Sequence, residues 1–263
     1  MNLTLTSNRL VIGITVFAAI AALSVMVTSG LTDVWAAPVH TFLTWAFVRE
    51  VDPDHDWTAL SAGFFAGLWV IAGQEVMSVL ALLGVMVAAR LVLNSTGRRP
   101  LPTDLIFLAM LASAIAFTPE GWIAGFGLAL AIYVDERLAG LAKPSAVIAA
   151  SLAALGTSAV ATLTNAIPET LPDMRPLFAL IVGVIALMAI MREPLEPLSI
   201  TDSRDRRLLE VPRLHAARSL VGVVLFLAAL LMGPDSVGLL PAVSGLVLAL
   251  AAGERDRMAR RVK

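Results

Sequence analysis

The stretch from Leu60 to Ala89, LSAGFFAGLWVIAGQEVMSVLALLGVMVAA, runs for 30 residues with one charged side chain, Glu75, which stands beside Gln74. Every other charge in the chain lies at the end of an apolar run. A run of this length reads as membrane-embedded chain, because a helix rising about 1.5 Å per residue needs roughly 20 apolar residues to cross a hydrocarbon core of about 30 Å. Counting back about 20 residues from Arg90, taken to snorkel to the inner surface, puts the outer boundary near Ile71. The run then divides into an interfacial or re-entrant piece, Leu60 to Val70, and a true span, with Glu75 about one turn inside the outer rim.

The rest of the chain agrees in character. Hydrophobic residues make up 58% of the 263 positions and charged residues 15%, and the mean hydropathy is +0.85. Such a composition exceeds what a water-soluble surface carries. The fold class expected is an all-α polytopic membrane protein forming one integral domain over 1–263. About eight transmembrane helices are expected: Leu10 to Thr28, Ile71 to Ala89, Leu105 to Phe117, Trp122 to Val134, Ser145 to Leu163, Leu177 to Met191, Leu220 to Met232 and Val237 to Ala252. Val34-Trp35-Ala36 is similar to a small-residue cleavage site, but the long first apolar stretch and its single basic flank, Arg9, favour an uncleaved span. Thr103-Asp104 is a predicted N-cap for the third span.

Arginine and lysine set the orientation. With both termini cytoplasmic, 17 of the 19 basic residues fall inside and only Arg49 and Arg175 outside. Acidic residues divide ten inside and nine outside with Glu75 apart, so the two faces carry opposite net charge although the whole chain is at −1. Heavy use of Ala, Leu, Val and Arg with little Lys is the bias of a high-GC bacterium, whose plasma membrane is the expected location. Pro119-Glu120, Pro168-Glu169 and Pro234-Asp235 mark three outer turns, and the pattern suggests repeated helical hairpins.

Two extramembrane segments stand out. The outer one, 31–59, starts with an uncharged, Trp-rich part, Val34 to Val48, expected to lie in the interface. It continues as the acidic cluster Glu50-Val51-Asp52-Pro53-Asp54-His55-Asp56. Asp52, Asp54, His55 and Asp56, with Gln74 and Glu75, form the candidate outer-face site. Oxygen-rich clusters hold divalent cations, but the ligand spacing of a calcium loop is missing, so no metal is expected. The inner segment, 193–219, carries Arg204, Arg206, Arg207 and Arg213. It is a candidate docking loop for anionic lipid or a protein partner, or a topology-fixing basic loop, with a short amphipathic helix from Leu208 if Pro212 lies in its first turn.

Catalytic constellations are absent from the pattern. The chain holds no cysteine and three histidines, His40, His55 and His215, divided between opposite sides. No P-loop, dinucleotide fingerprint, HExxH or GxSxG occurs, so no cofactor is expected, nor a nucleic-acid partner. From Asp33 to about Ile115 the layout resembles the N-terminal half of type 2 phosphatidic acid phosphatases: a first span, an interfacial segment ending near Asp56-Trp57, then Gly73-Gln74-Glu75-Val76 opening a span that closes on basic residues. The family's catalytic signatures are missing, since Pro119-Glu120-Gly121-Trp122 stands where Pro-Ser-Gly-His is needed. The resemblance implies a lipid-active membrane protein that has lost phosphatase chemistry.

Gly63-xxx-Gly67 and Gly121-xxx-Gly125 are predicted close-packing faces, and Thr157, Ser158, Thr162, Thr164 and Asn165 are candidates to hydrogen-bond between helices or, second to that, to line a path. The functions consistent with this sequence are a permease-like protein handling a lipid or lipophilic solute, an accessory subunit of an envelope complex, and a lipid-active enzyme acting at one interface.

Overall fold

A computed structural model describes residues 6–29, 35–118, 120–140, 144–166, 176–199 and 207–261. They form ten α-helices: α1 Thr6–Ser29, α2 Ala36–Val51, α3 Asp56–Ile71, α4 Val79–Leu93, α5 Pro102–Ile115, α6 Gly121–Leu138, α7 Pro144–Leu163, α8 Pro176–Met191, α9 Val211–Leu231 and α10 Leu240–Arg261, with a 3-10 turn at Gly233–Leu239. Three helical stretches, Pro144–Leu163, Val211–Leu231 and Ser236–Ala259, are long and apolar enough to cross a membrane, and five apolar helices are shorter.

Two helices more than expected come from one region. The segment expected as an outer interfacial loop is a packed hairpin, α2 and α3, joined by the turn Asp52 to His55. At 16 residues each, these helices fall below the length on which spans are recognised. Phe47, Val48 and Val51 of α2 are fully buried, so α2 is core and not an interfacial segment. The 30-residue apolar run splits accordingly. Its first part completes α3, residues 72–78 make a connection that includes Gln74 and Glu75, and α4 starts only at Val79.

Local chemistry sets these boundaries. Gly73 takes a positive φ of 71° after α3, a conformation costly for residues with a Cβ. Ser78 caps α4, its side-chain oxygen accepting the Ala81 N–H at 3.1 Å. The helix expected to be capped at Thr103-Asp104 begins slightly earlier, with Pro102 in its first turn and the Asp104 carboxylate accepting the Leu101 N–H at 2.8 Å.

Helices α2, α4, α6 and α9 form the centre. Around it, α1, α3 and α10 lie against α2, α5 and α7 against α6, and α8 against α9. The expected hairpins are seen for α5 with α6 and for α9 with α10, but not for the pair between them, since α7 packs on α5 and α6 whereas α8 packs on α9. Small residues allow the close approaches. A Cβ at Gly63 would stand 2.8 Å from the Thr41 carbonyl of α2, and one at Gly125 would stand 2.6 Å from the Ala112 carbonyl of α5 and 2.9 Å from Thr157 of α7. The expected interhelical hydrogen bonds are not formed by Ser158, Thr162 and Thr164. Ser158 and Thr162 donate to the carbonyls four residues back in α7, Ala154 and Ser158, and Thr164, just past the helix end, donates to the Val160 carbonyl.

Candidate functional site

Two features at one end of the bundle could carry function: a buried ionic layer and an open apolar groove.

The layer is built around α9. Pro212 sits in its first turn, where a missing N–H costs nothing, so the helix runs unbroken from Val211 and draws Arg213 and Arg218 into the packed interior. Each arginine is 6% exposed. Arg213 donates to Asp135 of α6 at 2.6 Å and to the Val92 carbonyl of α4 at 3.0 Å. Arg218 donates to the Val51 carbonyl at the end of α2 at 2.7 Å and lies 3.7 Å from Asp52, itself 1% exposed. Asp52 also faces His55 Nδ1 at 2.8 Å and accepts from Thr58 at 2.8 Å. The second ring nitrogen of His55 lies 3.0 Å from Asp256, in α10. With a carboxylate at each nitrogen, the imidazolium, which donates from both, satisfies the arrangement.

Further bonds tie the same end together. Asp54 accepts the backbone N–H groups of Leu198 and Ser199 at 3.0 and 2.8 Å, Glu50 pairs with Arg90 at 2.9 Å, and Arg49 pairs with Asp56. Arg192 pairs with Glu254. Burial pushes the Asp52 carboxyl above the usual carboxylate range, against the pull of His55, Thr58 and Arg218. For His55, burial acts downward, but the hydrogen bond and charge of Asp52, with Asp256 adding to them, outweigh it and raise the imidazole above its ordinary value.

The candidate outer-face site is thereby divided. Asp52, Asp54, His55 and Asp56 lie at the end of the bundle that holds Arg90, Arg192 and Glu254, whereas Gln74 and Glu75 follow the far end of α3. A 16-residue helix, about 24 Å long, separates the two groups. Glu75 and Gln74 are exposed, and the Glu75 carbonyl accepts the Trp69 indole N–H at 2.9 Å. The acidic turn directs its carboxylates to protein donors, and among the described residues no group of three or more His, Cys, Asp or Glu is arranged to hold a metal ion. In the inner segment Arg204 and Arg206 lie outside the described residues, Arg207 is exposed, and Arg213 belongs to the interior and not to a docking loop. Arg218, Asp135 and Asp256 are the members that sequence reasoning missed. Their partners are 78 to 201 residues away in the chain, and the one local signal was the position of Pro212.

The groove lies between α5 and α7, which run parallel because α6 returns the chain between them. The two helices meet where Ser113 of α5 packs against Gly156 of α7, at a spot a Cβ on Gly156 would occupy. Between that contact and their N-termini lies a cavity of about 440 Å³ lined by Leu105, Ile106, Ala109 and Met110 on one side and Ile148, Ala149 and Leu152 on the other. Pro102 and Ser145 frame its mouth.

No family model matches the chain, and comparison with curated proteins and with solved structures finds no match.

Proposed function

We propose that this chain is a multi-pass protein of the bacterial plasma membrane, with the ionic end toward the cytoplasm, that handles a lipid or lipophilic solute without hydrolytic chemistry. The groove between α5 and α7 carries this reading. It is apolar along its walls, and its volume falls within the roughly 300–1,000 Å³ of small-molecule sites.

The membrane setting is supported by an outside more apolar than water tolerates. Ile20, Phe107, Met110, Leu155, Leu163 and Leu177 are each 60% exposed or more, while the interior, rich in alanine, also holds buried ion pairs. Orientation is supported by charge. Assigning the α2–α3 turn to the cytoplasmic end moves Arg49 there, so 18 of the 19 basic residues share one side and Arg175 alone is opposite. Glu50, Asp52, Asp54 and Asp56 move with it, leaving net charges of +4 inside and −5 outside.

The test is purification in mild detergent followed by mass spectrometry of what co-purifies. One lipid species retained in stoichiometric amount is the expected result. A stoichiometric protein partner with no retained lipid would overturn it in favour of an accessory subunit.

A further inference from the structure

We infer that the α5–α7 groove holds one acyl chain of an anionic phospholipid from the cytoplasmic leaflet, with its phosphate at Arg98 and Arg99. This rests on the lipid-handling reading above and names the lipid class.

Depth comes first. From Pro102 at the mouth to Ser113 at the apex α5 advances about 16 Å, close to half of a hydrocarbon core of roughly 30 Å. The groove therefore spans one leaflet and stops where Ser113 and Gly156 bring the helices together. A chain entering from the cytoplasmic interface finds apolar walls over its whole buried length. Ser113, the polar group at the apex, has its hydroxyl donated to the Ala109 carbonyl of its own helix at 3.0 Å and presents no unmatched donor to the chain.

Charge at the mouth selects the headgroup. Arg98 and Arg99 are exposed and immediately precede the Pro102 turn that opens the groove. Neither makes a salt bridge among the described residues. Because α5 and α7 are parallel, the positive ends of both helix dipoles, at Pro102 and Pro144, face the same interface. The nearby Asp104 is turned to the Leu101 N–H. The Asp104 charge offsets part of this field. Two arginines against one carboxylate leave an excess of positive charge that a zwitterionic lipid, whose own cation cancels its phosphate, matches less well than an anionic one. A second protein chain would have to thread a slot one leaflet deep. A phosphate with net negative charge matches both features.

The experiment uses the full chain in nanodiscs of seven parts phosphatidylcholine to three parts phosphatidylglycerol, released for native mass spectrometry. One retained phosphatidylglycerol per chain is expected. Arg98→Gln with Arg99→Gln, both at exposed positions, should reduce the preference for phosphatidylglycerol roughly 10- to 30-fold while a lipid is still retained. Ala109→Phe, which fills the groove, should remove the retained lipid. Ala149→Phe fills it from the opposite wall and serves if the first variant fails to fold. Retention of one lipid with no headgroup preference, or a preference untouched by the arginine changes, overturns the inference and leaves the lipid-handling reading standing. No retained lipid in the parent chain overturns both. A dimer whose contact is broken by Ala109→Phe assigns the groove to a second copy and overturns the inference.

Discussion

At the scale of single residues, Asp52 and Arg218 carry the largest consequence. Each is nearly inaccessible, but the two are not equivalent. Without Arg218, Asp52 keeps His55 and Thr58, whereas without Asp52, Arg218 is left as a buried charge with no carboxylate in contact, a loss of about 3–5 kcal/mol. Asp52→Asn should therefore lower the thermal midpoint in detergent sharply, and Arg218→Ala less so. Combining the two should recover part of the loss, and a double variant as damaged as the sum of the singles would show that the two do not interact. His55 gives the pH dependence. Its folded pKa is raised, so the native state binds the proton more tightly than the unfolded chain does. The resulting stabilisation is complete below about 6.5, the unfolded value, and is lost as pH rises through the higher folded one. Asp52, also raised, acts in the same direction from about 3.8 upward. Melting temperature measured from pH 6 to 9 should fall for the parent chain and be flatter for His55→Gln. The sequence placed Asp52 and His55 in one cluster correctly. It could not reveal that the cluster is closed by Arg218 and Asp256, because no local pattern ties a turn at 52–55 to helices more than 160 residues later.

At the scale of elements, legibility follows length. Helices α7 and α8 begin and end within one residue of their expected spans, since long apolar runs bounded by polar residues permit one helix. Helix α2 was misread because Thr41, Thr44 and His40 dilute its apolar face, yet all three are buried and two of them are small enough to let α3 approach. The Gly63 and Gly67 spacing announced that approach; what it left open was the partner, Thr41. Gly125 of α6 sits where α5 and α7 both approach, against the Ala112 carbonyl and Thr157. Gly125→Val should cost at least 1–3 kcal/mol, about the usual penalty for overpacking, and should lower the melting temperature of the purified protein. Gly13, which has open space around it, is the control: Gly13→Ala should leave the melting temperature unchanged or slightly higher.

At the scale of the molecule, the proposed topology differs from the sequence expectation in one respect that can be mapped. The chain has no cysteine, so single cysteines report side chain by side chain. Trp57→Cys and Glu196→Cys should both react with an impermeant maleimide from the cytoplasmic side, and Gln74→Cys from the opposite side. Labelling of positions 57 and 74 from the same side would restore the outer acidic loop and remove the α2–α3 hairpin from the membrane. The ionic layer also has an order in time. Its carboxylates at 52 and 135 are synthesised well before the arginines at 213 and 218, and His55 waits for Asp256 in α10. Until α9 is made, Asp135 lacks Arg213, and Asp52 has His55 of its own turn but not Arg218. The last two helices therefore act as a clasp on everything made before them: α9 brings the arginines to Asp52 and Asp135, and α10 brings Asp256 to His55.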